Sequence, residues 1–506
     1  MNKRKKTPKK KGTAWKWIMN HVDSKLVGSL IVAVIATVLG GLMVITIPKI
    51  VVYYRCYTKP YITFESDFTQ VFHLSKEVNA LEYSVGESKW KELNTQTIVF
   101  GGDHGKLLLR GKSKIGTNGA TISFGTKSEV ICTGDICTLV DYKHHDKATT
   151  SNAKFKHLFQ NCKQLVVSPI LSSKVLADSC YYDMFGGCSS LRVAPELPAE
   201  QLANSCYSLM FKDCTSLEKA PELPARKLAK NCYSDMFENC ASLIYAPELP
   251  AENLDTLCYC EMFFGCTSLV EAPKLPAKKL ANKCYLAMFH ECTSLKQAPE
   301  LPAENLAPSC YSYMFSRCTS LTMDPKLPVM NLAEGCYVGM FENCTSLISS
   351  PKLPALDLAD YCYSLMFNGC TSLKYTSELP AKNMTSGCYL KMFSGCTSLE
   401  KAPELPGENL AEECYLEMFS GCTSLKKAPE LPANSLAKGC YSQMFYGCTS
   451  LSEITILATD IDESQCTRWL NKTSLSGTFY KNKNATWRND GIIPQGWTIK
   501  LIDPQK

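Results

Sequence analysis

Residues 232–257 read CYSDMFENCASLIYAPELPAENLDTL, and Cys258 starts the same pattern again. Eleven cysteines, Cys180, Cys206, Cys232, Cys258, Cys284, Cys310, Cys336, Cys362, Cys388, Cys414 and Cys440, stand 26 residues apart without an insertion. A second series, Cys188 to Cys448, trails the first by eight residues. Self-similarity at one fixed period is the mark of a stacked repeat architecture. Weaker copies flank the array, with Phe155, Phe159 and Cys162 in phase upstream and Cys466, Trp469 and Leu470 in phase downstream. These flanking copies read as capping units.

Within one unit, Leu228, Cys232 and Met236 recur every four residues, with Ala229, Tyr233 and Phe237 beside them. That spacing predicts a short helix carrying an apolar stripe. Residues 242–250 read as a short extended segment that Pro247 and Pro250 bound or kink, because proline cannot donate to a strand ladder. A lone unit cannot bury its apolar face, so equivalent units stack with strands about 4.8 Å apart. The expected architecture is an α/β solenoid over residues 151–476, with about twelve or thirteen units curved over on the order of 60 Å. A C-terminal cap follows at 477–506.

The phase of M-F, of G-C-T-S-L (Gly369 to Leu373) and of the closing L-P resembles the BspA-like branch of the leucine-rich-repeat proteins. The resemblance implies bacterial envelope or surface proteins with an adhesion role. It also implies that the strands line a concave face where partners bind. A-P-E-L-P stands where the family carries a simpler strand, which implies a bulge or an extra turn.

Composition narrows the class. Of 506 residues, 28 are Cys, 45% are apolar and 20% are charged, too apolar for disorder and too long for a disulfide mini-scaffold. The net charge of +6 is misleading, because residues 1–25 hold nine Lys/Arg against one Asp. The remaining chain is slightly acidic, unlike a nucleic-acid reader. Between Lys25 and Lys49 run 23 uncharged residues. As a helix, residues 26–47 span about 33 Å, which matches a bilayer core. With the basic tail kept cytoplasmic by the positive-inside rule, the expectation is a signal-anchor transmembrane helix. After a linker at 48–60, everything beyond is then periplasmic or extracellular.

Residues 61–150 alternate in short apolar runs such as TIVFGG and KLLLRG, separated by turn residues, and predict a small all-β module near the membrane. Cys132 and Cys137 flank Gly134-Asp135 and form a candidate disulfide. The array cysteines lack the short C-x2-4-C knuckles of zinc sites, so no metal is expected. Both buried free thiols and intra-unit disulfides stay open. No catalytic motif occurs, His144, His145 and Asp146 read as a solvated linker, and neither an enzyme nor a cofactor is expected.

What remains is surface. One strand column reads Glu196, Glu222, Glu248, Lys274, Glu300, Lys326, Lys352, Glu378, Glu404 and Glu430. Beside it, Tyr245 and Tyr375 can stack on a sugar or anchor a protein. These residues form the candidate binding face of a membrane-anchored, non-enzymatic adhesion protein for protein or polysaccharide. The alternative is an envelope scaffold without an external ligand.

Overall fold

The computed structural model describes residues 59–503 apart from 87, 95, 96, 489 and 490. The basic tail, the expected span at 26–47 and most of the linker lie outside them. Among the described residues no helix is long and apolar enough to cross a membrane.

Nine short strands open the fold: β1 (Ile62–Glu65), β2 (Gln70–Leu74), β3 (Leu81–Val85), β4 (Lys91–Glu92), β5 (Thr97–Phe100), β6 (Leu107–Gly111), β7 (Ile122–Phe124), β8 (Val130–Thr133) and β9 (Leu165–Val167). They make one sheet in the order β4-β3-β6-β1-β8-β9 and another in the order β5-β2-β7. β2 shows the sequence logic: in QVFHL, Gln70, Phe72 and Leu74 are buried while His73 faces water. Phe64 of the first sheet meets Phe72 and Phe124 of the second, each at 5.8 Å between ring centroids, and closes a sandwich. β9 belongs to the first flanking copy and pairs parallel with β8, so this sheet runs directly into the repeats.

The helix expected in each unit is absent. In its place the segment C-Y-x-x-M-F-x-x-C forms overlapping β-turns. Cys206, Ser208 and Met210 donate their N–H groups three residues back, to Ala203, Ser205 and Tyr207, at 3.3–3.4 Å. The alternate residues Ser205, Tyr207, Leu209, Phe211 and Asp213 donate instead to the next unit, at Lys230, Cys232, Ser234, Met236 and Glu238, over 2.8–3.1 Å. Every fourth residue is left-handed, with φ of 51° at Ser205, 59° at Leu209 and 57° at Asp213. An α-helix spends every N–H internally and admits no left-handed residue in its interior. The physical reason is spacing: packed helices need 8–10 Å between axes, whereas ladder rungs lie about 4.8 Å apart. The α/β solenoid is therefore corrected to a nearly all-β array, and the only α-helix among the described residues is α1 (Glu463–Cys466) in the downstream cap.

Two further columns of parallel bridges tie the rungs. One runs through Val167, Val193, Lys219, Tyr245 and Glu271, and the other through Val175, Gln201, Lys227 and Asn253. The turn wall is hydrogen-bonded from rung to rung as well, so each unit is tied to the next along both walls.

The core is built of stacked columns. Phe185, Phe211 and Phe237 lie parallel at 5.6–5.7 Å, and Tyr207, Tyr233 and Tyr259 at 5.8–5.9 Å. The second cysteine of each unit has a polar role. Cys214 Sγ donates to Phe185 O at 3.2 Å and Cys240 Sγ to Phe211 O at 3.1 Å, and the pattern continues to Cys448 on Phe419. Phe211 O also accepts the N–H of Cys214 at 3.1 Å, so one carbonyl serves two units. At the upstream end the sandwich substitutes for a missing unit, since Cys162 Sγ donates to Ile122 O at 2.7 Å.

Downstream, β10 (Lys427–Leu431), β11 (Glu453–Ile456), β12 (Gly477–Asn482) and β13 (Trp497–Ile502) form a parallel sheet. The aromatic stack ends there. Trp469 meets Phe479 edge-on at 6.1 Å and 76°, and Phe479 meets Trp487 at 6.0 Å and 78°.

Gln443 sits at φ 53°. A non-glycine residue there costs roughly 1–2 kcal/mol, whereas glycine inside a helix costs about 1 kcal/mol relative to alanine. Gln443→Gly should leave the stability in urea unchanged or raise it, and a fall of about 1 kcal/mol would restore the helix. Burial also pushes the thiols of Cys162, Cys180 and Cys258 from 9.0 up to about 12. Raised folded-state values make their contribution complete below pH 9 and progressively lost towards pH 12. The urea midpoint should hold between neutrality and that lower bound and fall above it.

Candidate binding face

The bridged columns place one set of side chains outward in every unit. In β10 the pattern is clear: Lys427 and Glu430 face solvent while Ala428 and Leu431 point inward. The pairing of β10 with β11 shifts register between Lys427 and Glu430. That bulge is the one implied by A-P-E-L-P, and it puts two outward residues three apart. Every unit therefore presents an inner column, in phase with Val193, and an outer column, in phase with Glu196.

All ten charged residues expected on the face, Glu196, Glu222, Glu248, Lys274, Glu300, Lys326, Lys352, Glu378, Glu404 and Glu430, are exposed in the outer column. None of them takes part in an ion pair among the described residues. The lysines and glutamates that do pair across units lie elsewhere, as in Lys278–Glu304 at 2.8 Å, Arg317–Glu291 at 2.8 Å and Lys382–Glu408 at 2.7 Å. Tyr245 and Tyr375 fall in the inner column, 62% and 67% exposed.

Three consecutive units differ from the rest. Met323 and Ile348 are 57% and 49% exposed, and with Tyr375 they form an apolar strip beside Lys326, Lys352 and Lys374. Lys374 N and Tyr375 N both donate to Ile348 O, at 2.9 and 3.2 Å, which ties the last two of these rungs to each other. The usual A-P is replaced here by Asp324-Pro325, Ser350-Pro351 and Thr376-Ser377. Burial pushes the Asp324 carboxyl up. Ser350 Oγ accepts the N–H of Ser377 at 2.7 Å. Ile348 is the member that reading the sequence missed. An isoleucine looks like core, and its signal is a column that mixes Ile244, Val270 and Thr322 with Arg192, Glu218, Lys296, Lys374, Glu400 and Lys426, as a buried column would not.

A family model for the BspA-type leucine-rich-repeat region, in six copies, matches residues 183–322, 233–374, 289–426 and 337–466, together more than half of the chain. The chain belongs to the BspA-type leucine-rich-repeat family. It matches no curated protein and no solved structure.

The remaining sites fall as follows. Cys137 is a buried free thiol that accepts from Ser172 Oγ at 3.7 Å, so the expected bridge to Cys132 is not formed. Every cysteine of the BspA-type units is likewise a buried thiol, which answers the choice left open by the sequence. Burial pushes these thiols up, the opposite of what a metal ligand or nucleophile requires. Among the described residues no group of three or more His, Cys, Asp or Glu could hold a metal. His290, the one histidine in a regular unit, stacks on Phe264 at 4.7 Å, and burial lowers its pKa.

Face and core should separate cleanly on mutation. Tyr375→Ser should change unfolding free energy by no more than about 0.5 kcal/mol. Phe315→Ala, in the middle of the phenylalanine column, should cost about 3–5 kcal/mol, and equal losses in a denaturation series would erase the distinction.

Proposed function

We propose that the protein is a non-enzymatic binding protein, tethered through its N-terminal segment, that uses the ladder face of the repeat array to adhere to a protein or polysaccharide outside the cytoplasm. The observation that carries the reading is the unpaired outer column lying beside the exposed strip Met323, Ile348 and Tyr375. An apolar centre rimmed by charge is the usual anatomy of a protein-binding patch. Membership of the BspA-type family favours adhesion. The location rests on the basic tail followed by a long uncharged stretch. Weak contacts repeated along a column add by avidity, so single substitutions at the edge of the face have small effects.

The test combines place and binding. Protease added to intact cells that carry the full chain with a C-terminal tag should remove the tag without permeabilisation. The full chain is then probed on arrays of extracellular-matrix proteins and glycans beside the triple variant Met323→Ser, Ile348→Ser, Tyr375→Ser. The variant should keep the wild-type unfolding profile and lose at least about tenfold in affinity for whatever the wild type binds, about 1.4 kcal/mol. Equal binding by the two proteins would move the site off this strip. Absence of any ligand together with protection on intact cells would favour the scaffold.

A further inference from the structure

Where the sandwich meets the first flanking copy, an open cleft of about 450 Å³ is lined by Lys112, Lys114, Lys143 and His144, with the hydroxyls of Thr149 and Ser151 on its rim. The three lysines have no ion-pair partner among the described residues. The one acid in the cleft is already engaged. Asp141 accepts the N–H of Lys143 at 3.0 Å and of His144 at 3.3 Å, and its other oxygen meets His144 Nδ1 at 3.1 Å. The hydrogen bond from His144 holds the Asp141 carboxyl below its usual range. The cleft thus presents net positive charge, three lysines against the Asp141 carboxylate, and its surroundings sharpen the contrast. Residues 59–156 hold thirteen Lys/Arg against eleven Asp/Glu, whereas residues 157–506 hold thirty against thirty-six.

We propose that this cleft binds a saccharide unit carrying an oxyanion, whether carboxylate, sulfate ester or phosphate ester. Lysine ammoniums are compact point charges with three donors, suited to a single oxyanion approached from several sides. Thr149 Oγ1 and Ser151 Oγ, 3.0 Å apart, each retain capacity for a sugar hydroxyl. Val140 and Ala148 in the lining offer apolar surface for a ring face. The volume suits one or two sugar rings and lies within the range of small-ligand sites. A long nucleic acid fits less well. The nearby aromatic faces are occupied, with Arg110 3.9 Å above Trp90 and 4.2 Å above Tyr142, and the acidic array repels an extended polyanion. The cleft shares no lining residue with the outer column or with Met323, Ile348 and Tyr375, so either site can fail without the other.

The experiment is calorimetric titration of the full chain with glucuronic acid, glucose 6-sulfate, glucose 6-phosphate, glucose, sodium sulfate and a short single-stranded oligonucleotide. At least one anionic sugar should bind, more weakly at higher salt, while glucose does not. The double variant Lys112→Gln, Lys143→Gln should lose about tenfold in affinity, and Lys230→Gln should lose none. The double variant is checked for a wild-type unfolding profile, and the Met323, Ile348, Tyr375 triple variant should bind the sugar normally. The proposal is overturned if no anionic sugar binds or if glucose binds equally. Sulfate alone matching the best sugar would mean an adventitious ion only. Tighter binding of the oligonucleotide than of any sugar, or unchanged binding by a folded double variant, would overturn it as well.

Discussion

Every second backbone N–H in the C-Y-x-x-M-F-x-x-C segment is directed at the neighbouring unit, and the rest of the array depends on that division. A buried backbone donor without a partner costs about as much as a lost hydrogen bond, so a unit with half its donors aimed outward is stable only with a neighbour in place. The division also sets the pitch. It brings equivalent residues to ladder spacing on the turn wall as on the bridged columns, which puts phenylalanine on phenylalanine and tyrosine on tyrosine at under 6 Å along most of the stack.

The cysteines follow from the same constraint. The Phe carbonyl that accepts from its own unit also faces the next one, and a buried second lone pair is best met by a small, mostly apolar donor. A thiol meets that description, since it packs like a methyl-sized hydrophobe and still offers a weak S–H. Serine would bring a stronger donor at a larger desolvation cost, and alanine would leave the lone pair unmatched.

Much of this is legible in the amino-acid sequence. The period, the flanking copies and the buried Tyr, Met, Phe, Cys and Leu positions follow from residues such as Cys232, Phe237 and Leu243, and the departure of A-P-E-L-P from the family's simpler strand implies a bulge or an extra turn. The wall is not legible, because a four-residue recurrence of apolar residues suits overlapping four-residue turns as well as it suits a helix. The distinguishing signal lay in the residue before the second cysteine. That column reads Gly187, Asp213, Asn239, Gly265, Glu291, Arg317, Asn343, Gly369, Gly395, Gly421 and Gly447, nine of eleven being Gly, Asn or Asp, and all are left-handed. Those are the residue types that accept positive φ at least cost. On the face, the charged column was readable as a column, but its lack of ion pairs and the exposure of Ile348 needed three dimensions.

The edge-on cluster of Trp469, Phe479 and Trp487 has a consequence for how such a molecule can change. Every joint between regular units repeats the same core residues and backbone bonds, and only the two ends terminate the stack differently. Losing or gaining a whole 26-residue segment therefore recreates a joint that already exists and leaves both terminations untouched, whereas losing part of one breaks the alternation of donors. Length is thus free to vary in whole steps of about one ladder spacing. The chain can trade reach for compactness by duplication alone, while the outward positions drift independently of the fold.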